Sequence, residues 1–157
     1  LIPDFQGDES ALATVLEAGP DVLNHNLETV RRLYPRVRPQ AAYDRSLELL
    51  ARAAAWGTPA KSGLMLGLGE TAEELQESLR DLAGAGVSMI TMGQYMQPSR
   101  RHHPVMKYWR PEEFAAFGEY ARGLGVSQVM SAPLVRSSYR AAEMAGGCGC
   151  GEPGRAT

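Results

Sequence analysis

The chain has 157 residues, 44% of them hydrophobic and 22% charged, the composition of a folded domain with a real core rather than of a disordered segment. Sixteen basic against eighteen acidic residues leave a formal charge of −2, so no overall basic field points to nucleic acid or to an anionic membrane. No apolar run reaches the ~18 residues of a spanning helix, the opening residues do not read as a leader, and Cys148 and Cys150 are the only cysteines. A reducing, cytoplasmic setting without a disulfide framework is therefore expected.

In chain order, LIPDF (1–5) reads as the end of a buried strand, so the chain is expected to open inside a core element of a longer protein. DESALATVLEAG then predicts a short helix with Leu12, Val15 and Leu16 on one face and Gly19-Pro20 as its stop. DVLNHNL predicts a second short strand. After the irregular YPRVRPQ, Tyr43, Leu47, Leu50 and Ala54 recur at helical spacing up to Gly57, and PAKSGLMLGLG predicts a third strand.

Thr71 and Glu74 form a Thr-x-x-Glu capping box. Leu75, Leu79 and Leu82 supply the stripe of that helix, which Gly84 and Gly86 close. VSMITMGQY predicts the fourth strand, followed by the loop MQPSRRHHPVMKYW. Pro111 stands at a first-turn position of a helix whose Phe114, Phe117, Ala121 and Leu124 face inward. VSQVMSAPLV is a last strand-like piece and SSYRAAEMAG a short terminal helix. Residues 147–157, Gly-rich and aperiodic, are expected to be a disordered tail. This alternation means βα units and a parallel sheet, either a closing barrel or an open doubly wound one, with ligands at the C-terminal strand ends in both.

That rule ranks the polar residues. Asn24 and Asn26 share one face of a strand end, with His25 on the other, and suit a polar ligand or bonds to neighbouring loops. Gly63, Met65 and Gly67 share a face whose missing side chains admit a planar ligand or a close backbone, and Glu70 follows at the ligand end. Gln94 and Gln97 lie near the same ligand face. Lys61 raises the thought of a Schiff-base aldolase but stands at the start of its strand, the structural end. The RRHH run (100–103) lacks carboxylates or cysteines at ligand spacing; it reads as a solvated loop, or as a grip for a carboxylate on a protein partner. Cys148 and Cys150 are too few for an iron–sulfur cluster. Ser137 and Ser138 serve equally as a helix cap or as a ligand.

Taken together, LIPDF, NHNLETV, KSGLMLGLGET, GQYMQPS and VRSSY, in this order and spacing, closely resemble the lipoyl synthases, and the likeness runs from Leu1 to about Gly146. It implies an α/β fold, the C-terminal part of a partial (β/α)6 TIM-type radical S-adenosylmethionine (SAM) barrel with a short C-terminal extension over 1–146. It also implies radical SAM chemistry with two [4Fe–4S] clusters, inserting sulfur at C6 and C8 of an octanoyl chain on a carrier lysine. The carriers implied are lipoyl domains of 2-oxoacid dehydrogenases and the glycine cleavage H protein, with a ferredoxin or flavodoxin-type electron donor.

By the same resemblance Ser138 is the serine ligand of the auxiliary, sulfur-donating cluster, and Arg136 beside it favours the alkoxide. Asn24, Asn26, Gly63, Gly67, Glu70 and Gln94 fall on the SAM side. Both family cysteine motifs, C-x4-C-x5-C and C-x3-C-x2-C, are absent from the sequence, so the chain reads as the C-terminal half of such an enzyme, inactive alone. The alternatives are a cluster-free module that binds SAM or a lipoyl carrier, and a biotin-synthase-like sulfur inserter.

Overall fold

Local signals decide where the helices begin and end. A computed structural model describes residues 1–136, and its first long helix, α1 (Glu9–Glu17), starts where the Asp8 carboxylate accepts the free backbone N–H groups of Ser10 and Ala11, a strong N-cap. A 3-10 turn (Arg31–Leu33) leads into the single turn α2 (Tyr34–Val37), and α3 spans Tyr43–Trp56. Gly57 ends α3 in the left-handed region at φ +92°, where a side chain would be strained. α4 (Ala72–Gly84) carries the expected capping box: Glu74 N donates to Thr71 Oγ1 and Thr71 N to a Glu74 carboxylate oxygen. α5 (Pro111–Gly123) opens on Pro111, which lacks only a hydrogen that the first turn leaves unused.

Four parallel strands, β1 (Leu23–Asn24), β2 (Ala60–Leu66), β3 (Met89–Gln94) and β4 (Gln128–Ser131), lie side by side in chain order. A doubly wound sheet would reverse its strand order; sequential order with intervening helices is the arc of a TIM-type barrel. Leu64, Leu66, Ile90 and Met92 join Leu50, Leu75, Leu79 and Phe114 in the main core. Each such side chain contributes roughly 1.5–3 kcal/mol relative to exposure. The alternate residues Lys61, Gly63, Met65, Thr91 and Gly93 therefore form the concave face. Lys61 is buried at the start of β2, beside Asn24. A smaller cluster joins Leu12 and Leu16 to Leu23, Leu49 and Ala53.

Two expectations change. LIPDF is not a strand: it gives one rung, Ile2 N to Asn24 O at 2.9 Å, and then turns. The Asp4 carboxylate accepts Gln6 N, and Phe5–Gly7 form a 3-10 turn with Phe5 and Gln6 at positive φ. DVLNHNL yields only the two residues of β1. The expected terminal helix and the Gly-rich tail lie outside the described residues. Among the described residues no helix is long and apolar enough to cross a membrane.

Candidate ligand cleft at the C-terminal strand ends

β1 is short because the chain bulges just beyond it. Asn24 pairs with Lys61, but the next bridge joins Glu28 to Leu64, so four residue steps on one side match three on the other. Such bulges occur beside sites, where they re-aim side chains. Glu28 absorbs the extra residue at φ +69°, a conformation costing a non-glycine residue about 1–2 kcal/mol. The kink is held on both sides. Glu28 N donates to Gly63 O and Met65 N to Glu28 O, each at 2.8 Å. The Arg38 guanidinium donates to Asn26 O at 3.1 Å and the Tyr34 hydroxyl to Leu27 O at 2.7 Å. His25 points the other way, buried, its ring bonded to the Ile2 carbonyl and to Ser46 Oγ at 3.0 Å each.

Asn26 and Glu28 consequently stand together on a cleft of about 630 Å³ at the C-terminal ends of the strands, Asn26 Nδ2 donating to Glu28 Oε1 at 3.1 Å. Burial pushes the Glu28 carboxyl above its ordinary range, partly offset by the Asn26 bond and by the Arg38 charge. The Asn24 and Asn26 amide oxygens are buried without partners, each unmet acceptor costing about 1–3 kcal/mol. A Cβ at Gly63 would stand 3.0 Å from both Asn26 Oδ1 and Thr91 Oγ1. No side chain fits there unless those oxygens give way, so Gly63 keeps a bare stretch of the cleft floor beside two oxygens that a ligand's N–H or O–H groups can meet. Arg36, Arg101 and Arg136 stand on the cleft wall toward solvent.

Gly67, Glu70 and Gln94 assemble something else beside the cleft. Gly67 lies one residue past β2 at φ +110°, and a Cβ there would meet Gln94 Nε2 and Lys107 O within 2.5 Å. The buried Glu70 carboxylate accepts Gly67 N at 2.6 Å, Leu68 N at 2.8 Å and the Trp109 indole N–H at 2.8 Å. Gln94 donates to Lys107 O and accepts from Trp109 N. Together they latch the strap 95–110 across the ends of β2 and β3, with Gln94 also facing the cleft. Gln97 is exposed and bonds His102 O.

Of the residues named from sequence, Asn26, Gly63, Gln94 and Arg136 line the cleft. Asn24 lies just below, and Gly67 and Glu70 sit in the latch. Ser138 lies outside the described residues. Glu28 and Thr91 were missed; a left-handed glutamate at a bulge leaves no local signal, whereas Thr91 was findable as the residue opposite Gly63. Among the described residues no group of three or more His, Cys, Asp or Glu could hold a metal ion, so an iron–sulfur cluster finds no ligand set in them.

Comparison with known proteins bears on the family and the fold. The model of the radical SAM superfamily matches residues 1–82. A lipoyl synthase of Oleidesulfovibrio alaskensis is 56% identical over 141 residues, 90% of this chain and 48% of that protein. A lipoyl synthase of Nitratidesulfovibrio vulgaris is 55% identical over 141 residues, 90% and 47% of the two chains. One of Mycobacterium ulcerans is 53% identical over 144 residues, 92% and 44%. The chain thus spans about half the length of the curated relatives it matches.

Proposed function

Because the chain belongs to the radical SAM superfamily, we propose that it is the SAM-binding barrel segment of a lipoyl synthase, which in complete form inserts sulfur at C6 and C8 of an octanoyl chain on a carrier lysine. The observation that carries this reading is the corner formed by Asn26, Glu28 and Gly63: a partnerless buried amide oxygen and a half-buried carboxylate beside a cleft-floor position without a side chain. SAM fits those donor needs, since it offers ribose hydroxyls, an amino group and a flat adenine. Bound there, it supplies the oxidising equivalent that activates unreactive C–H bonds.

The chain's own residues do the holding. Asn26 accepts a ligand N–H or O–H through its free oxygen. Glu28, whose proton affinity is raised by burial, gains a partner when a hydroxyl pair meets it, and ionises more readily as a result. Gly63 admits the flat group, and Met65 covers it from water on the cleft wall. The latch of Glu70, Gln94 and Trp109 fixes the wall opposite. Arg136 donates to the carbonyls of Pro133 and Val135 at the cleft edge and, in this proposal, orients the segment that leads to Ser138, the proposed cluster ligand. The cysteine ligands of both clusters must come from sequence that this chain does not contain.

The test is product analysis. The complete, anaerobically reconstituted protein is given an octanoyl-lysyl peptide, SAM and reductant, and the peptide mass is followed. Gain of two sulfur atoms supports the proposal; cleavage of SAM without any sulfur reaching the peptide overturns it.

A further inference from the structure

The strap 95–110 has features that the proposed SAM site leaves unused. Its basic residues are Arg100, Arg101, Lys107 and Arg110, two of the chain's three histidines lie on it, and it has no Asp or Glu. The whole chain sums to −2, so everything outside the strap sums to −6, twelve basic against eighteen acidic residues. Lys107 and Arg110 face Glu113 and Glu112. Arg100 and Arg101, with Arg36 and Arg136 on the cleft wall, have no ion-pair partner among the described residues.

Apolar side chains are exposed among these charges. Met96 is 56%, Met106 61% and Tyr108 67% exposed on the strap, and Leu134, on the loop after β4, is 84% exposed. Exposed methionine and tyrosine ringed by cations is the composition of a binding surface rather than of a solvated loop. The surface is also held in shape. The Tyr95 hydroxyl donates to His103 O, the His103 ring to Leu68 O and Met106 N to Gly67 O, at 2.7–2.8 Å, in addition to the Glu70 and Gln94 bonds. A surface already ordered loses little entropy on docking.

We infer that the strap is the docking face for an acidic protein domain, whose acylated lysine then reaches into the cleft beside Arg101 and Arg136. The inference rests on the proposed function, which puts the reacting chain on a protein lysine. Charge selects the partner: a surface of unpaired arginines on an otherwise acidic chain attracts an acidic face and repels a basic one. Met96, Met106 and Tyr108 supply the apolar contact, and the arginines set approach and register.

The experiment measures binding of an octanoylated lipoyl carrier domain to the complete protein and to Arg100→Glu/Tyr108→Ala, two exposed strap positions outside the cleft lining, at low and physiological salt, together with SAM binding to both. The double substitution is expected to weaken domain binding about tenfold or more at low salt and to flatten its salt dependence, with SAM affinity unchanged. Equal domain binding by the two proteins, with the parent binding well, overturns the docking face and leaves the proposed function standing. If the parent neither binds the domain nor converts an octanoyl-lysyl peptide, the proposed function fails and the docking face with it. Loss of SAM binding in the variant also overturns the inference, because these strap residues would then be part of the SAM site.

Discussion

Replacing Glu70 by glutamine separates a latch from a ligand contact. In the parent, one carboxylate oxygen accepts Gly67 N and the Trp109 indole, and the other accepts Leu68 N. Glutamine keeps the first acceptor but turns an NH2 group toward Leu68 N–H. That buried donor is left unpaired, at about 1–3 kcal/mol, and two remaining bonds lose their charge assistance, at about 1 kcal/mol each. The sum is about 3–5 kcal/mol. For a domain of this size about 2–4 °C accompanies each kcal/mol, so the melting temperature should fall by roughly 6–20 °C. Trp109→Phe removes one donor and keeps the ring stacked edge-on with Phe117, and should cost about 1–2 kcal/mol. The two changes share a bond, so their double mutant should lose less than the sum. Thermal unfolding of the four proteins, with amide exchange at Gly67 and Leu68, reads this directly. A melting temperature unchanged within 2 °C, or strict additivity, would refute the latch; unchanged stability with lost SAM binding would put Glu70 in the ligand site.

Gly93→Ala should cost about 1–3 kcal/mol as overpacking, because its Cβ would stand 2.0 Å from Val135 O and 3.3 Å from Arg136 Nη1; the check is urea unfolding, and an unchanged midpoint contradicts the crossing of that segment over β3. His25 gives a pH dependence. Burial holds its pKa below the usual 6.5 against the raising effects of the Ile2 carbonyl and Asp4. The unfolded chain therefore binds the proton more readily, and this contribution to stability is complete above about pH 6.5 and is lost as the pH falls toward the folded value. Glu28 has the opposite sign, since its raised pKa favours the folded state below its ordinary range and that contribution is lost as the pH rises through the folded value. His25→Asn isolates the first: its stability measured by urea should fall less than the parent's between pH 6.5 and 5, and an identical fall refutes the assignment.

How much of this was legible in the sequence follows from how local each cause is. The capping box at Thr71, Pro111 as a helix start and the leucine stripe of α4 act within a turn or two and were read correctly. The parallel sheet followed from the alternation of strands and helices, which left barrel and doubly wound orders open; the sequential order found was implied only by the resemblance to lipoyl synthases. LIPDF misled because its apolar residues pack against β1 and α3 without forming a ladder. The bulge at Glu28 was invisible, since glutamate does not favour a left-handed backbone. The latch joins Glu70 to Trp109, thirty-nine positions apart, and only the folded chain brings them together. The glycines at 63 and 67, alike in sequence, differ in role: one is a bare stretch of the cleft floor close to Asn26 and Thr91, the other is covered by the protein's own strap.

In the proposed function the cleft floor at Gly63 receives a flat part of SAM. Gly63→Ala in the complete protein tests it, because alanine suits a strand interior better than glycine and places its methyl 3.0 Å from Asn26 Oδ1 and Thr91 Oγ1. Isothermal titration with SAM should show affinity weakened by about tenfold or more, equivalent to about 1.4 kcal/mol, with the melting temperature within a few degrees of the parent. Parental affinity for SAM in this variant would contradict the account.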